Sequence, residues 1–202
     1  FLNMKKLLLL FAIVALSAMQ SFAQDSKFYI GIGAGYATAG GDLDGLKGGV
    51  SLNFLNLGYR LNETFGITAN LSSTGHAIDG FDDAAFGIGT FSAGPMVSFS
   101  LSDKVSWDLK PQYAFTMKGV FAGDDLGLLD AVEYTGNAFI FANSLVFGDG
   151  GSGFDFSIDL DYLAGKFTEG SALGQDFDLE ELVGENLKVN NFKIGVGLRY
   201  NF

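Results

Sequence analysis

The stretch FKIGVGLRYNF, Phe192–Phe202, decides the fold of this 202-residue chain. Its even-numbered positions are all aromatic or aliphatic, whereas its odd-numbered positions are Lys, Gly, Gly, Arg and Asn. Successive side chains of a β-strand point to opposite faces of the sheet. The stretch therefore predicts a strand with one wholly apolar face, ending on Phe202, and one face of small or charged residues.

The same alternation with period two recurs along the chain. It is regular over 28–36, 65–72, 91–101, 105–116 and 154–162. Two further segments, 49–61 and 136–147, are less regular, and the phase of the first slips near Phe54 and Leu55, which predicts a β-bulge. Together with 192–202 these segments predict eight strands.

The connections between these strands alternate in length. The first, third, fifth and seventh are long, with the seventh (167–186) the longest, whereas the second, fourth and sixth are short. Bacterial transmembrane barrels have short periplasmic turns and longer extracellular loops. We therefore predict an all-β fold, an eight-stranded antiparallel up-and-down transmembrane β-barrel with its odd-numbered connections outside the cell.

A soluble, lipocalin-like barrel is the alternative fold, with the apolar face turned inward and the polar face outward. Period two alone does not separate the two arrangements. The apolar faces are rich in Phe and carry no charge near their middle, and both features favour the membrane barrel.

The N-terminal segment has the three parts of a secretory signal peptide. Met4 is followed by two lysines, then by the apolar run 7–15, and Ser21 and Ala23 supply small residues before a cleavage site. The apolar run is too short for a transmembrane helix anchor. We expect residues 1–23 to be an N-terminal extension plus cleaved signal peptide, and residues 24–202 to be the barrel.

Composition limits the possible functions. The chain has no cysteine, which excludes disulfides and cysteine-based metal sites. Cleavage removes two lysines and no acid, which changes the formal net charge from −11 to −13. This acidic balance argues against nucleic acid as a partner, because phosphate binding needs a basic face.

The last strand also resembles the C-terminal signal of outer-membrane barrel proteins. The matching residues are Val196, Leu198, Tyr200 and Phe202. With the strand number, the loop pattern and the signal peptide, the chain resembles OmpA/OmpX-type barrels. More narrowly, it resembles the "porin family" barrels common in Bacteroidetes, whose signals often end in Ala-Gln, as Ala23-Gln24 does here. The resemblance implies export to the outer membrane, contact with its lipid and lipopolysaccharide, and recognition by the barrel-assembly machinery. It implies no activity, because these families are functionally diverse.

Charged residues with the inward phase form the first candidate site. They are Arg60, Asp108, Lys110, Lys118, Asp155, Asp159, Asp161, Lys193 and Arg199. An eight-stranded barrel is just wide enough for its own side chains to fill. We expect an ion-pair network that occludes the lumen, with Asp155 close to Arg199. A narrow path for ions or protons is the alternative interpretation.

The long loops form the second candidate site, because they are strongly acidic. Their acids are Asp42, Asp44, Asp79, Asp82, Asp83, Asp124, Asp125, Asp130, Glu133, Glu169, Asp176, Asp178, Glu180, Glu181 and Glu185, against Lys47 as the one base. Such clusters are able to bind divalent cations or bridge through them to lipopolysaccharide. A solvated acidic surface that meets an unknown surface ligand is the simpler interpretation.

Catalysis has little support in the sequence. The one histidine, His76, follows Ser72 and Ser73 at the external end of a strand, but no lipid A-modifying enzyme motif surrounds it. Gly31, Gly33 and Gly35 lie within a strand and lack the following helix of a nucleotide-binding motif. We assign no catalytic residue, no cofactor and no metal site.

Three functions therefore follow from the sequence, in order of preference. The first is a non-enzymatic outer-membrane protein with a structural or surface-interaction role. The second is a small low-conductance channel, and the third is a lipid A-modifying enzyme. A short helix within 176–187, with Leu179, Leu182 and Val183 on one face, is expected in the last loop.

Overall fold

The computed structural model describes residues 27–43, 45–81, 84–122, 132–148, 151–172 and 175–202. Residues 1–23, which we predict to contain a signal peptide, and the acids Asp44, Asp82, Asp83, Asp124, Asp125 and Asp130 lie outside the described residues.

Nine strands and one short helix make up the described chain. They are β1 (Phe28–Gly41), β2 (Leu46–Arg60), β3 (Phe65–Ile78), β4 (Ala85–Ser102), β5 (Val105–Ala122), β6 (Val132–Phe147), β7 (Gly153–Ala172), β8 (Gln175–Asp178), α1 (Leu179–Val183) and β9 (Leu187–Asn201). The strands extend further into the long connections than the sequence predicts, and the last of these connections contains the β7–β8 hairpin and α1.

Eight of these strands close into a ring. Each of β1 to β7 pairs antiparallel with the next, β7 pairs with β9, and β9 pairs back to β1. β8 is a short addition to β7 outside the ring. The predicted eight-stranded up-and-down barrel is therefore confirmed. Within the described residues, no helix has the length and hydropathy needed to cross a membrane.

The two faces of the barrel are the reverse of those in a soluble barrel. Large apolar side chains stand on the outside; Phe139 is 62% and Phe154 is 70% exposed. Charged side chains lie inside; Asp108 is 0% and Arg199 is 7% exposed. Such an outer surface is stable only in hydrocarbon.

Several register shifts occur between the described strands, and two of them bear on the predicted faces. The register shifts between Asn53 and Leu55 of β2, where the sequence predicts a bulge. A second one lies in β5: Phe91 pairs with Thr116, but Ser92 pairs with Ala114, so β5 carries one extra residue there. Beyond that point the side chains of β5 change faces.

Two prolines interrupt the hydrogen-bond ladder between β4 and β5. The pairing runs to Ala93 with Tyr113 and resumes at Val97 with Leu109. Pro95 and Pro111, the chain's only prolines, face each other in this gap. Neither has an N–H to donate, so this seam lacks two backbone hydrogen bonds.

Candidate functional site: the barrel interior

An arginine bridges two acids inside the short-turn end of the barrel. Nη1 of Arg199 on β9 donates to Oδ2 of Asp108 on β5 at 2.8 Å. Its Nε and Nη2 lie 3.1 Å and 3.0 Å from Oδ2 of Asp155 on β7. Asp155 and Arg199 are cross-strand neighbours, whereas Asp108 reaches Arg199 across the lumen. The structure thus brings together the pair that the sequence places at this end.

Uncharged side chains also donate hydrogen bonds to these two acids. Ser98 Oγ donates to Oδ1 of Asp108 at 2.7 Å, and Asn201 Nδ2 donates to Oδ2 of Asp155 at 2.8 Å. The guanidinium of Arg199 lies 4.7 Å from the ring centre of Tyr29, a cation–π contact. The Tyr29 ring lies over Gly58, where a Cβ would overlap it. The charged groups of Asp108, Asp155 and Arg199 are therefore buried and contact other side chains of the protein.

A second layer of charges lies deeper in the barrel. Lys193 Nζ and Asp161 Oδ2 are 3.3 Å apart on neighbouring β9 and β7, and both side chains are buried. Lys110 Nζ donates to Ser144 Oγ, which in turn donates to Oδ1 of Asp159. Each of these buried charges has a charged or hydrogen-bonding partner, as burial requires, and the two layers together are called the ion-pair network.

Seven of the nine predicted lumen charges belong to this network, and two do not. The prediction that Lys118 faces inward is wrong, because the β5 bulge turns it outward, where it lies 3.6 Å from Glu133 with 57% of its side chain exposed. Arg60 keeps the inward phase but lies at the end of β2, where its buried Nε has no hydrogen-bond partner. The network therefore holds three bases and four acids.

An apolar cluster fills much of the long-loop half of the interior. The alternation of residues along the strands does not predict this cluster. We call it the apolar plug; its members are Phe86, Ile88, Ala114, Met117, Ala138, Ile140, Ala142, Leu163, Phe167, Leu179 and Val189. Phe86 and Phe167 meet edge to face with ring centres 6.2 Å apart. The sequence signal was present where apolar residues occupy both phases of a strand, as in Phe139-Ile140-Phe141.

His76 faces the interior beside the plug and is fully buried. Its Nδ1 lies 3.1 Å from the carbonyl oxygen of Lys47, and its Nε2 lies 3.1 Å from both Thr74 Oγ1 and Asn191 Nδ2. This network assigns the proton to Nδ1, because that nitrogen faces an acceptor. Ser72 bonds to Thr90 rather than to His76. The histidine therefore has a hydrogen-bonded structural environment, and no serine in the described part of the chain hydrogen-bonds to its ring.

Two small voids lie among the described side chains of the polar half. One of about 20 Å³ lies between Ser51, Asp161 and Lys193, and one of about 10 Å³ lies between Lys110, Ser157 and other polar side chains. Each is about large enough for a single water molecule.

The described loop acids make local contacts. Asp79 Oδ1 lies 2.8 Å from Lys47 Nζ, and this hydrogen bond and the lysine's charge lower the pKa of the Asp79 carboxyl. Asp178 caps α1 by accepting from the backbone N–H groups of Glu180 and Glu181. Among the described residues, no group of three His, Asp or Glu side chains is placed to hold a metal ion.

The helix predicted in the last loop is shorter than expected. α1 spans the five residues Leu179–Val183 and is capped by Gly184, whose φ of 86° is the left-handed conformation typical of a helix C-cap. Leu179 is buried in the plug, whereas Leu182 is exposed. Of the predicted helix face, Leu179 thus joins the apolar plug, and the side chain of Val183 lies outside the described part of the chain.

The four residues that resemble an assembly signal lie on or beside the outer face of β9. Val196 and Leu198 are about half exposed. The ring of Tyr200 contacts those of Phe154 and Phe202, with centres 4.9 Å and 5.0 Å apart. Phe202 also donates its backbone N–H to Phe28 O, so it ties the two ends of the described chain together.

Comparison with known proteins agrees with this geometry. The chain matches the family of the outer membrane protein beta-barrel domain over residues 7–202. Neisserial surface protein A (NspA) has a similar structure, with a TM-score of 0.59 at 16% sequence identity over 87% of this chain and 97% of that one. No curated protein sequence matches.

Two further solved structures show weaker similarity. Ail, the attachment invasion locus protein of Yersinia pestis, has a TM-score of 0.49 at 19% identity, over 88% of this chain and 100% of its own. The outer membrane protein OprG of Pseudomonas aeruginosa has a TM-score of 0.47 at 13% identity, over 88% and 97%.

Proposed function

Because this chain belongs to the outer-membrane protein β-barrel family, we propose that it is a non-enzymatic integral outer-membrane protein with an occluded lumen. Its role is structural or lies in surface interaction through its acidic external loops. The observation that carries the proposal is the bridge from Arg199 to Asp108 and Asp155, which links three strands across the interior.

The apolar plug supports the same conclusion independently. A conducting pore needs a continuous polar path, and the plug places Phe86, Met117 and Phe167 across the half of the lumen nearest the long loops. A path for ions would have to cross both this layer and the ion-pair network, where each charge already has a partner.

Planar-bilayer recording of the inserted barrel tests the closure. We expect no single-channel steps from the wild-type protein, whereas steady steps would establish the low-conductance channel instead. The variant Phe86→Ala, Phe167→Ala, Arg199→Ser removes three large side chains from the two layers that close the interior and is expected to conduct. The matched control Phe139→Ala, Phe141→Ala removes aromatic rings from the outer face and is expected to stay silent.

The absence of enzyme activity is supported by the environment of His76. Both ring nitrogens are occupied by hydrogen bonds, and the ring is sealed from solvent. We expect unchanged lipid A mass spectra in a Gram-negative host that expresses the protein. A shift by one acyl chain that is lost in His76→Ala would establish a lipid A-modifying enzyme.

The surface role rests on the described acids at the long-loop end. Asp42, Asp79, Glu133, Glu169, Asp176, Asp178, Glu180, Glu181 and Glu185 are all exposed. We propose that they form a solvated acidic surface for a ligand outside the cell. Calorimetric titration with millimolar CaCl₂ is expected to give no saturable heat, and a saturable signal would instead establish divalent cations as partners.

A further inference from the structure

Two lysines face each other on the outside of the barrel. Lys166 of β7 and Lys188 of β9 are direct cross-strand partners, and both side chains are exposed. Each is flanked by an inward-facing residue, Phe167 or Val189, that is fully buried. The two ammonium groups therefore stand on the outer surface and not in the lumen.

Like charges placed directly opposite each other destabilise a sheet. In the described part of the chain no carboxylate lies within ion-pair distance of either ammonium. Asp42 is close, but its Oδ2 accepts the backbone N–H of Lys188 at 2.7 Å. In a protein with net charge −11, two adjacent cations that form no ion pair with a described carboxylate favour an anionic ligand.

The height of the pair along the barrel identifies the kind of anion. On β7 and β9 the apolar belt starts with Phe154 and Tyr200 and ends with Tyr162 and Phe192. Lys166 lies twelve positions beyond Phe154, and the pairing of β7 with β9 has no register shift between them. At about 3.3 Å per residue and a tilt of about 40°, this is about 30 Å above the start of the belt. Since the belt of such barrels is about 25 Å tall, the lysines stand just above it, at the depth of lipid headgroups.

Two asparagines next to the lysines add hydrogen-bond donors to the site. Asn137 of β6 is the cross-strand partner of Lys166, and Asn190 of β9 lies one outward position below Lys188. Ammonium and amide groups together suit the oxygens of a phosphate. Lys118 is on the same rim but is already paired with Glu133.

We propose that Lys166 and Lys188, with Asn137 and Asn190 beside them, bind the phosphate of a lipid headgroup in the outer leaflet. The site is on the outside of the barrel and does not depend on whether the lumen is closed. Its occupant would anchor the protein at a fixed depth and orientation in the membrane.

The test measures binding of diphosphoryl lipid A by the full barrel in maltoside micelles, with native mass spectrometry as the readout. A basic residue near an anionic membrane surface strengthens binding. We therefore expect loss of one lysine to weaken lipid A binding about fivefold, and loss of both to weaken it about thirtyfold. Lys166→Gln, Lys188→Gln should show that loss, the double Arg variant should retain binding, and dephosphorylated lipid A should bind all variants equally weakly.

Lys118→Gln is the matched control, because it removes a charge from the same rim and is expected to change binding less than twofold. Retention of wild-type affinity by Lys166→Gln, Lys188→Gln would overturn the proposal, as would an equal loss in Lys118→Gln. Complete displacement of lipid A by millimolar inorganic phosphate would also overturn it, since the site would then bind a soluble anion. Heat-modifiable electrophoretic migration verifies that each variant is folded.

Discussion

Substitution of Arg199 by Met tests whether the ion-pair network stabilises the barrel. The change replaces the guanidinium side chain with a shorter, uncharged one and leaves Asp108 and Asp155, which are 0% and 3% exposed, without their shared cation. Removal of one partner from a buried ion pair destabilises a protein by about 3–5 kcal/mol, because an uncompensated charge stays buried. Asp108 has Lys110 nearby as a partial substitute, which places the expected loss toward about 3 kcal/mol.

The assay is reversible urea unfolding from lipid vesicles, followed through the emission of Trp107. This residue is the only tryptophan, and it faces outward with 40% of its surface exposed, so its emission reports insertion into lipid. The midpoint of the transition should fall in Arg199→Met while its slope stays the same.

Two further variants separate the network from a general effect of charge. Lys118→Met removes one exposed positive charge and is expected to change stability by less than about 0.5 kcal/mol. Arg199→Met combined with Asp108→Asn and Asp155→Asn removes the buried charges with their partner and should recover most of the loss. A stability of Arg199→Met within about 1 kcal/mol of wild type, or no recovery in the triple variant, would refute the reasoning.

Three other predictions concern the seam, the loops and the N-terminus. Pro95→Val with Pro111→Val restores two backbone donors and is expected to raise the unfolding free energy by about 0.5–1.5 kcal/mol per hydrogen bond in the same urea assay. An unchanged midpoint would show that the two restored N–H groups form no hydrogen bonds between β4 and β5. Because Lys47 lowers the pKa of Asp79, the ion pair is intact above the ordinary pKa of an aspartate and is lost as the pH falls through the lowered value. NMR titration should show that the pKa of Asp79 rises in Lys47→Met, and an unchanged pKa would contradict the pairing. Mass spectrometry of the protein exported from a Gram-negative host should give a mature chain that begins directly after Ala23, and a retained residue 1–23 segment would contradict cleavage.

Much of the lumen could be predicted from sequence because alternation is a local property. Once the phase of 192–202 is known, Lys193 and Arg199 must face inward, and the same holds for Asp155 and Asp161 on β7. The two strands are neighbours in the ring, so their inward charges meet as Asp155 with Arg199 and Asp161 with Lys193.

Lys118 and the apolar plug show where this local argument fails. The extra residue in β5 reverses the phase of every later position, and no single residue near Phe115 announces it. The plug requires knowledge of which strands face each other inside the closed ring, since Phe86 and Phe167 are far apart in sequence.

The sequence by itself determined the barrel, its strand number, its lipid-facing side and the inward set of charges, because period-two alternation and loop length are readable one strand at a time. Only the tertiary structure decided that Arg199 spans the lumen to Asp108 and that Lys166 opposes Lys188 on the outer rim. The physical reason is that closure of the ring and the register between strands depend on all eight strands together. Contacts across the lumen and along the rim are set by that closure and not by any segment alone.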